Sequence, residues 1–182
     1  MAYQGYNPYQ PATGNSQVQN FFTHVDKDGS GKINAQELQQ ALINGQGQQF
    51  SDTACNMMIS MFDQDRTGTI DITEFERLFN YINSWLSCFK AFDRDNSGSI
   101  EESELSAAFQ QMGFRFSQQF INFLIVMSDP KERTRISVDQ FIVLCVKIQK
   151  FTEAFKQRDT EMTGVIKIAF EDFLGIALGC SN

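Results

Sequence analysis

The run DRDNSGSIEESE, residues 93–104, places oxygen-bearing side chains at its first, third, fifth, ninth and twelfth positions and a Gly at its sixth. A chain turning sharply at Gly98 brings Asp93, Asp95, Ser97, the Ser99 carbonyl, Glu101 and Glu104 around one centre. Calcium, a hard cation, takes about seven oxygens, and a bidentate carboxylate at position 12 completes that number while disfavouring octahedral magnesium.

Two other windows have the same arrangement. DKDGSGKINAQE, residues 26–37, offers Asp26, Asp28, Ser30, the Lys32 carbonyl, Asn34 through water and Glu37, turning at Gly31. DQDRTGTIDITE, residues 63–74, offers Asp63, Asp65, Thr67, the Thr69 carbonyl, Asp71 and Glu74, turning at Gly68. The spacing predicts three calcium-binding EF-hand loops.

Two further windows keep the frame and lose the chemistry. At 129–140, Lys131, Arg133 and Gln140 stand at ligand positions 3, 5 and 12, so cations sit where a cation would bind. At 159–170, Asp159, Glu161, Thr163 and Gly164 fit, but Lys167 takes position 9 and Phe170 position 12, which leaves at most weak binding. All five windows carry Ile at position 8: Ile33, Ile70, Ile100, Ile136 and Ile166. In a pair of EF-hands this residue joins a short two-stranded ladder, so the two degenerate loops are expected to be structural.

The window starts are 37, 30, 36 and 30 residues apart, and the alternation predicts architecture. Residues 75–92 contain no Gly or Pro and carry one apolar stripe through Phe75, Leu78, Phe79, Ile82, Trp85, Leu86, Phe89 and Phe92. Hands 2 and 3 therefore share a helix. Residues 141–158 repeat the design with Phe141, Leu144, Cys145, Ile148, Phe151 and Phe155, so hands 4 and 5 share another. The longer intervals are broken at Asn44-Gly45-Gln46-Gly47 and at Met112-Gly113-Phe114-Arg115. After each break, Ser51 and Ser117 are expected to cap new helices, with Phe50 and Phe116 stapling them. The fold class is all-α: five helix-loop-helix units over residues 16–182, preceded by a flexible Tyr/Gly/Gln/Pro-rich head, 1–15.

Five is an odd number. If hands 1 and 2 pair, and hands 3 and 4 pair, the fifth is left with an open ladder edge and an apolar face. A dimer through Ile166, Phe170, Phe173, Leu174, Ile176 and Leu178 would satisfy both.

Charge narrows the function. Of the net −7, windows 26–37, 63–74 and 93–104 account for −8, leaving +1 for the rest. Acidity confined to three loops argues against nucleic-acid binding. No Ser/His/Asp or Cys/His set is assembled, so catalysis is not expected. Cys55, Cys88, Cys145 and Cys180 lie far apart and are expected as reduced thiols. The start has no secretory pattern, and no apolar run is long enough to span a membrane. Met57, Met58, Met61, Met112 and Met127 are expected mainly as core, with adaptable contacts to a target as a second use.

The stretches FSDTACNMMISMFD (50–63), FDRDNSGSIEESELSAAFQQMGFRFSQQF (92–120) and FTEAFKQRDTEMTGVIKIAFEDF (151–173) resemble the penta-EF-hand family. The likeness covers nearly everything after residue 16. A complete second loop departs from the family pattern, in which ligands are often lost there. The resemblance implies a homodimer, or a heterodimer with another penta-EF-hand protein, through hand 5. It further implies a cytoplasmic pool, calcium-dependent recruitment to membranes or protein partners, and an adaptor role in endoplasmic reticulum export at COPII vesicles. Alternatives are a calcium buffer that binds without opening, and the regulatory subunit of a calpain-like protease.

Overall fold

The computed structural model describes residues 15–130 and 133–181. The head expected over 1–15 lies outside these residues except for Asn15, which opens the first helix. In chain order the elements are α1 (Asn15–Val25), α2 (Ala35–Ala41), α3 (Asp52–Phe62), α4 (Ile72–Phe92), β1 (Ser99–Glu101), α5 (Glu102–Gln111), α6 (Gln118–Ser128), β2 (Arg135–Ser137), α7 (Val138–Lys156) and α8 (Phe170–Ser181).

The two longest helices are the shared ones, α4 with 21 residues and α7 with 19. Where the Asn-Gly-Gln-Gly and Met-Gly sequences interrupt the apolar period, α2 gives way to α3 and α5 to α6. Ser51 accepts a hydrogen bond from the Ala54 amide and Ser117 one from the Phe120 amide, both at 3.3 Å. Each cap contributes about 1 kcal/mol. Phe50 is buried beneath its helix start, and the Phe116 ring lies 4.9 Å from that of Phe120.

The position-8 isoleucines pair as their spacing predicts. Ile33 and Ile70 form an antiparallel bridge with reciprocal bonds of 2.8 and 2.9 Å. Ile100 lies opposite Ile136 in the β1–β2 ladder. Hands 1–2 and 3–4 are thus the two pairs, and Ile166 lies outside the ladders of the described residues.

The pairs share one core. Trp85, fully buried on α4, meets Phe141 of α7 edge-on with ring centroids 5.9 Å apart, and Phe89 meets the same ring at 5.7 Å. Met57, Met58 and Met112 are core residues, whereas Met61 and Met127 reach the surface. Cys55, Cys88 and Cys145 are buried and form no disulfide among the described residues. Burial pushes Cys55 up to about 12 and Cys145 well above its ordinary value, so both are poor nucleophiles. The α4 stripe is core along its length. That of α7 divides: Phe141, Leu144 and Cys145 are buried, while Phe151 is exposed; besides the elements of hands 3 and 4, both α3 and α8 pack on α7.

Candidate metal centres

In loops 26–37, 63–74 and 93–104 the first residue shapes the turn. Asp26 accepts the amides of Ser30 at 3.0 Å and Gly31 at 2.9 Å, one on each carboxylate oxygen. Asp63 does the same for Thr67 and Gly68, and Asp93 for Ser97 and Gly98. These bonds hold the sixth-position glycines at φ of 76–78°, a left-handed conformation that favours Gly.

The twelfth residue closes each loop. Glu37 accepts the Lys27 amide on one oxygen and the Asn34 amide on the other, both at 3.0 Å. Glu74 bridges the Gln64 and Asp71 amides, and Glu104 those of Arg94 and Glu101. Position 9 takes part in the same joint. Asn34 and Asp71 cap α2 and α4 with their side chains, completing reciprocal capping boxes with Glu37 and Glu74. The ninth-position side chains assigned to coordination at sequence level thus also build the exit helix.

The result is three oxygen-only clusters. Carboxylate oxygens of Asp26, Asp28 and Glu37 lie within 4.8 Å of one another, as do those of Asp63, Asp65 and Glu74, and of Asp93, Asp95 and Glu104. Oxygens on opposite sides of a calcium ion bound at 2.3–2.6 Å are about 5 Å apart, so the spacing and the hard donor set fit that ion. Hydroxyls of Ser30, Thr67 and Ser97 stand beside the seventh-position carbonyls of Lys32, Thr69 and Ser99, at 3.0, 3.2 and 3.0 Å. Hydrogen bonds from those fifth-position residues hold Asp28, Asp65 and Asp95 below the usual carboxylate range. The nine carboxylates expected at positions 1, 3 and 12 fall in these three clusters, with the fifth-position hydroxyls bonded to the seventh-position carbonyls beside them.

Two contacts across the ladders were not evident from spacing. Lys32, at position 7 of loop 1, extends its ammonium into loop 2, 3.4 Å from Asp65 and 3.2 Å from the Thr67 hydroxyl. Arg135, at position 7 of loop 4, lies 3.6 Å from Glu101 of loop 3. Each cation leans on the neighbouring loop's acids.

The other two loops lack such a cluster among the described residues. Loop 4 has Thr134 in place of the sixth-position Gly, and its left-handed residue is Arg133, with φ 60°. Lys131 lies outside the described residues. Gln140 accepts the Ser137 amide at 2.8 Å and donates to the Ser128 carbonyl at 3.1 Å, tying α7 to α6 directly. Loop 5 keeps the calcium-loop backbone. Asp159 accepts the amides of Thr163 and Gly164, and Met162 and Gly164 are left-handed as in the intact loops.

A model described as an EF-hand domain pair matches residues 15–80 and 83–145. The chain is 36% identical to human (Homo sapiens) sorcin over 148 residues, 79% of the chain and 74% of sorcin. Grancalcin of Mus musculus is 35% identical over 177 residues, 94% of the chain and 78% of grancalcin.

The chain belongs to the penta-EF-hand family of calcium-binding proteins.

Within the penta-EF-hand family it is also 41% identical to peflin of Danio rerio over 165 residues. That alignment covers 90% of the chain and 61% of the peflin, so the chain spans about three-fifths of such a relative's length. A solved homologue of programmed cell death 6 protein from Leishmania major Friedlin superposes with a TM-score of 0.81 at 27% identity, covering 97% of this chain and 99% of that one.

Proposed function

We propose that this protein is a calcium sensor and adaptor that dimerises through its fifth hand, with three calcium sites in loops 1, 2 and 3. The ligands in this reading are Asp26, Asp28, Ser30, the Lys32 carbonyl and Glu37; Asp63, Asp65, Thr67, the Thr69 carbonyl and Glu74; and Asp93, Asp95, Ser97, the Ser99 carbonyl and Glu104. When bound, each ion supplies two positive charges to an acidic loop; three offset six of the seven net negative charges. Glu37, Glu74 and Glu104, the carboxylates at position 12, would hold the ion from the first turns of α2, α4 and α5, so that binding bears directly on those helices. Loss of net negative charge also lowers repulsion from anionic surfaces, which supports calcium-dependent recruitment of a cytoplasmic pool to membranes.

The observation that carries the adaptor reading is the uncovered fifth hand. Val165, Phe170, Phe173 and Leu178 are 71%, 75%, 52% and 66% exposed, and they flank Ile166, which has no ladder partner among the described residues. A second penta-EF-hand chain presents the complementary surface, itself or a relative. Beside it, α6 and α7 border an apolar hollow of about 620 Å³ lined by Phe116, Phe120, Phe123, Met127, Ile148 and Phe151. It suits a protein segment with apolar anchors. The family resemblance supports endoplasmic reticulum export at COPII vesicles as the setting.

Calcium titration with sedimentation tests the reading. Three ions per chain and a dimer at micromolar concentration are expected, with one ion fewer in each of Glu37→Gln, Glu74→Gln and Glu104→Gln. A monomer in both calcium and chelator overturns the dimer, and two ions per chain removes one of the three sites.

A further inference from the structure

The segment joining hands 1 and 2, residues 42–51, touches the other pair of hands at two unrelated points. It forms a small hairpin: Ile43 bridges Gln49, and Asn44 accepts the amides of Gln46 and Gln48 on its side-chain oxygen. Asn44 is buried.

The first contact is polar. Asp139 of α7 is buried, and one of its oxygens accepts the Ser51 amide at 3.1 Å. The other accepts the Ser137 hydroxyl at 2.5 Å and faces the Asn44 side-chain amide at 3.5 Å. Its place in the first turn of α7 favours a negative charge there. Asp139 occupies position 11 of loop 4, and the same position holds Gln36, Thr73 and Ser103 in loops 1–3, all exposed. Only in the fourth hand is position 11 an acid turned inward, and its partners lie 88 and 95 residues away in sequence.

The second contact is a close backbone approach. A Cβ on Gly45 would lie 2.8 Å from Gly98 Cα, and one on Gly98 would lie 2.7 Å from the Gly45 carbonyl oxygen. Gly98 is the sixth residue of loop 3, so the hairpin rests on that loop's turn. At its other end the hairpin continues α2, the exit helix of loop 1, which is only seven residues long. About 10 Å of helix leaves little slack between Glu37 and the hairpin.

We infer that the 42–51 hairpin couples calcium loops 1 and 3, and that Asp139 is the positioning residue that seats it. This rests on loops 1 and 3 being calcium sites. Hands 1 and 3 share no helix, and beside the route through the Ile33–Ile70 bridge and α4 the hairpin joins α2 to the loop 3 turn by direct contact. Rearrangement at Glu37 moves α2 and the hairpin against Gly98; Asp139 prevents the hairpin from lifting away instead.

The amides of Gly31 and Gly98, each bonded to its loop's first Asp, report the two sites separately by NMR during calcium titration of the full chain. Glu104→Gln is expected to weaken binding at loop 1 by about fivefold or more, and Glu37→Gln to weaken loop 3 by the same factor, as linkage requires. Adding Asp139→Asn, which turns one acceptor into a donor, or Gly45→Ala, which prises the two backbones apart, brings that factor down towards one while each loop still binds. The two variants disturb different contacts, and circular dichroism checks that each is folded. A cross-effect absent from the parent chain, or unchanged by both variants, overturns the coupling while leaving the sites intact. If either Gly amide fails to respond to calcium, the site itself is lost and the coupling with it.

Discussion

Loop 4 and loop 5 each carry something other than a carboxylate at position 12, Gln140 in one and Phe170 in the other, and the two side chains end in opposite settings. Gln140 is turned inward and joins α6 to α7 through Ser128 and Ser137. Phe170 projects outward at 75% exposure. Their backbones differ in the reverse sense: loop 4, which has a ladder partner, has given up the glycine turn, whereas loop 5, which has none among the described residues, retains it through Asp159, Met162 and Gly164. Losing a ligand set therefore has two structural outcomes. In a loop braced by its neighbour, an amide can replace ion-dependent closure by a fixed hydrogen bond. In an unbraced loop, the calcium-loop shape persists and the apolar position 12 is left exposed, on the surface proposed for a second chain.

The comparison breaks most visibly at the surface of the fifth hand. Phe173→Asp with Leu178→Asp alters two residues already exposed in the single chain, so folding is expected to be unaffected. In a dimer each would bury an apolar side chain worth about 1.5–3 kcal/mol, so the pair should weaken association by at least about a hundredfold. Sedimentation velocity at micromolar concentration should then show a monomer. A dimer that survives both charges places the interface elsewhere.

The fourth hand should respond in the opposite way. Gln140→Ala removes a capping contact and leaves the Ser128 carbonyl short of its donor, at a cost of about 1–2 kcal/mol in urea unfolding, with oligomeric state unchanged. Phe170→Ala, made in the monomeric double variant, should shift the same curve by less than about 0.5 kcal/mol. Equal costs would mean that position 12 braces both loops alike.

Much of this contrast was legible in the sequence, because it is written in repeats. Ile33, Ile70, Ile100, Ile136 and Ile166 at one loop position, with alternating intervals, were enough to pair the hands and leave the fifth over. Ser51 and Ser117 announced their helices for the same reason: a cap is a local device, read within four residues. What escaped was non-local or individual. Asp139 looks like an ordinary acid in a helix's first turn until the fold brings Asn44 and Ser51 to it. The approach of Gly45 to Gly98 joins two turns whose glycines each have a local explanation. The α7 stripe has one period along its length, yet α8 and solvent, rather than the pair core, meet its last turns, and no periodicity records where a neighbour stops.

The smallest effect concerns position 7, where the braced and unbraced loops differ in reach. Lys32 and Arg135 extend across their ladders to Asp65 and Glu101, while Val165, the seventh residue of loop 5, has no ladder to cross among the described residues and is largely exposed. An ammonium held beside Asp65 and Thr67 competes for the oxygens that an incoming cation needs in loop 2. Lys32→Met should therefore tighten calcium at loop 2 by about two- to fivefold, the range of an exposed ion pair, read from the Gly68 amide. Arg135→Met should act on loop 3 in the same direction and more weakly, since Glu101 stands at the ninth position. Both gains should shrink as salt is raised, because exposed pairs are screened. Val165→Lys, in the monomeric background, should change neither affinity. If it does, loop 5 lies within reach of an intact loop, and the distinction between braced and unbraced loops fails at this position.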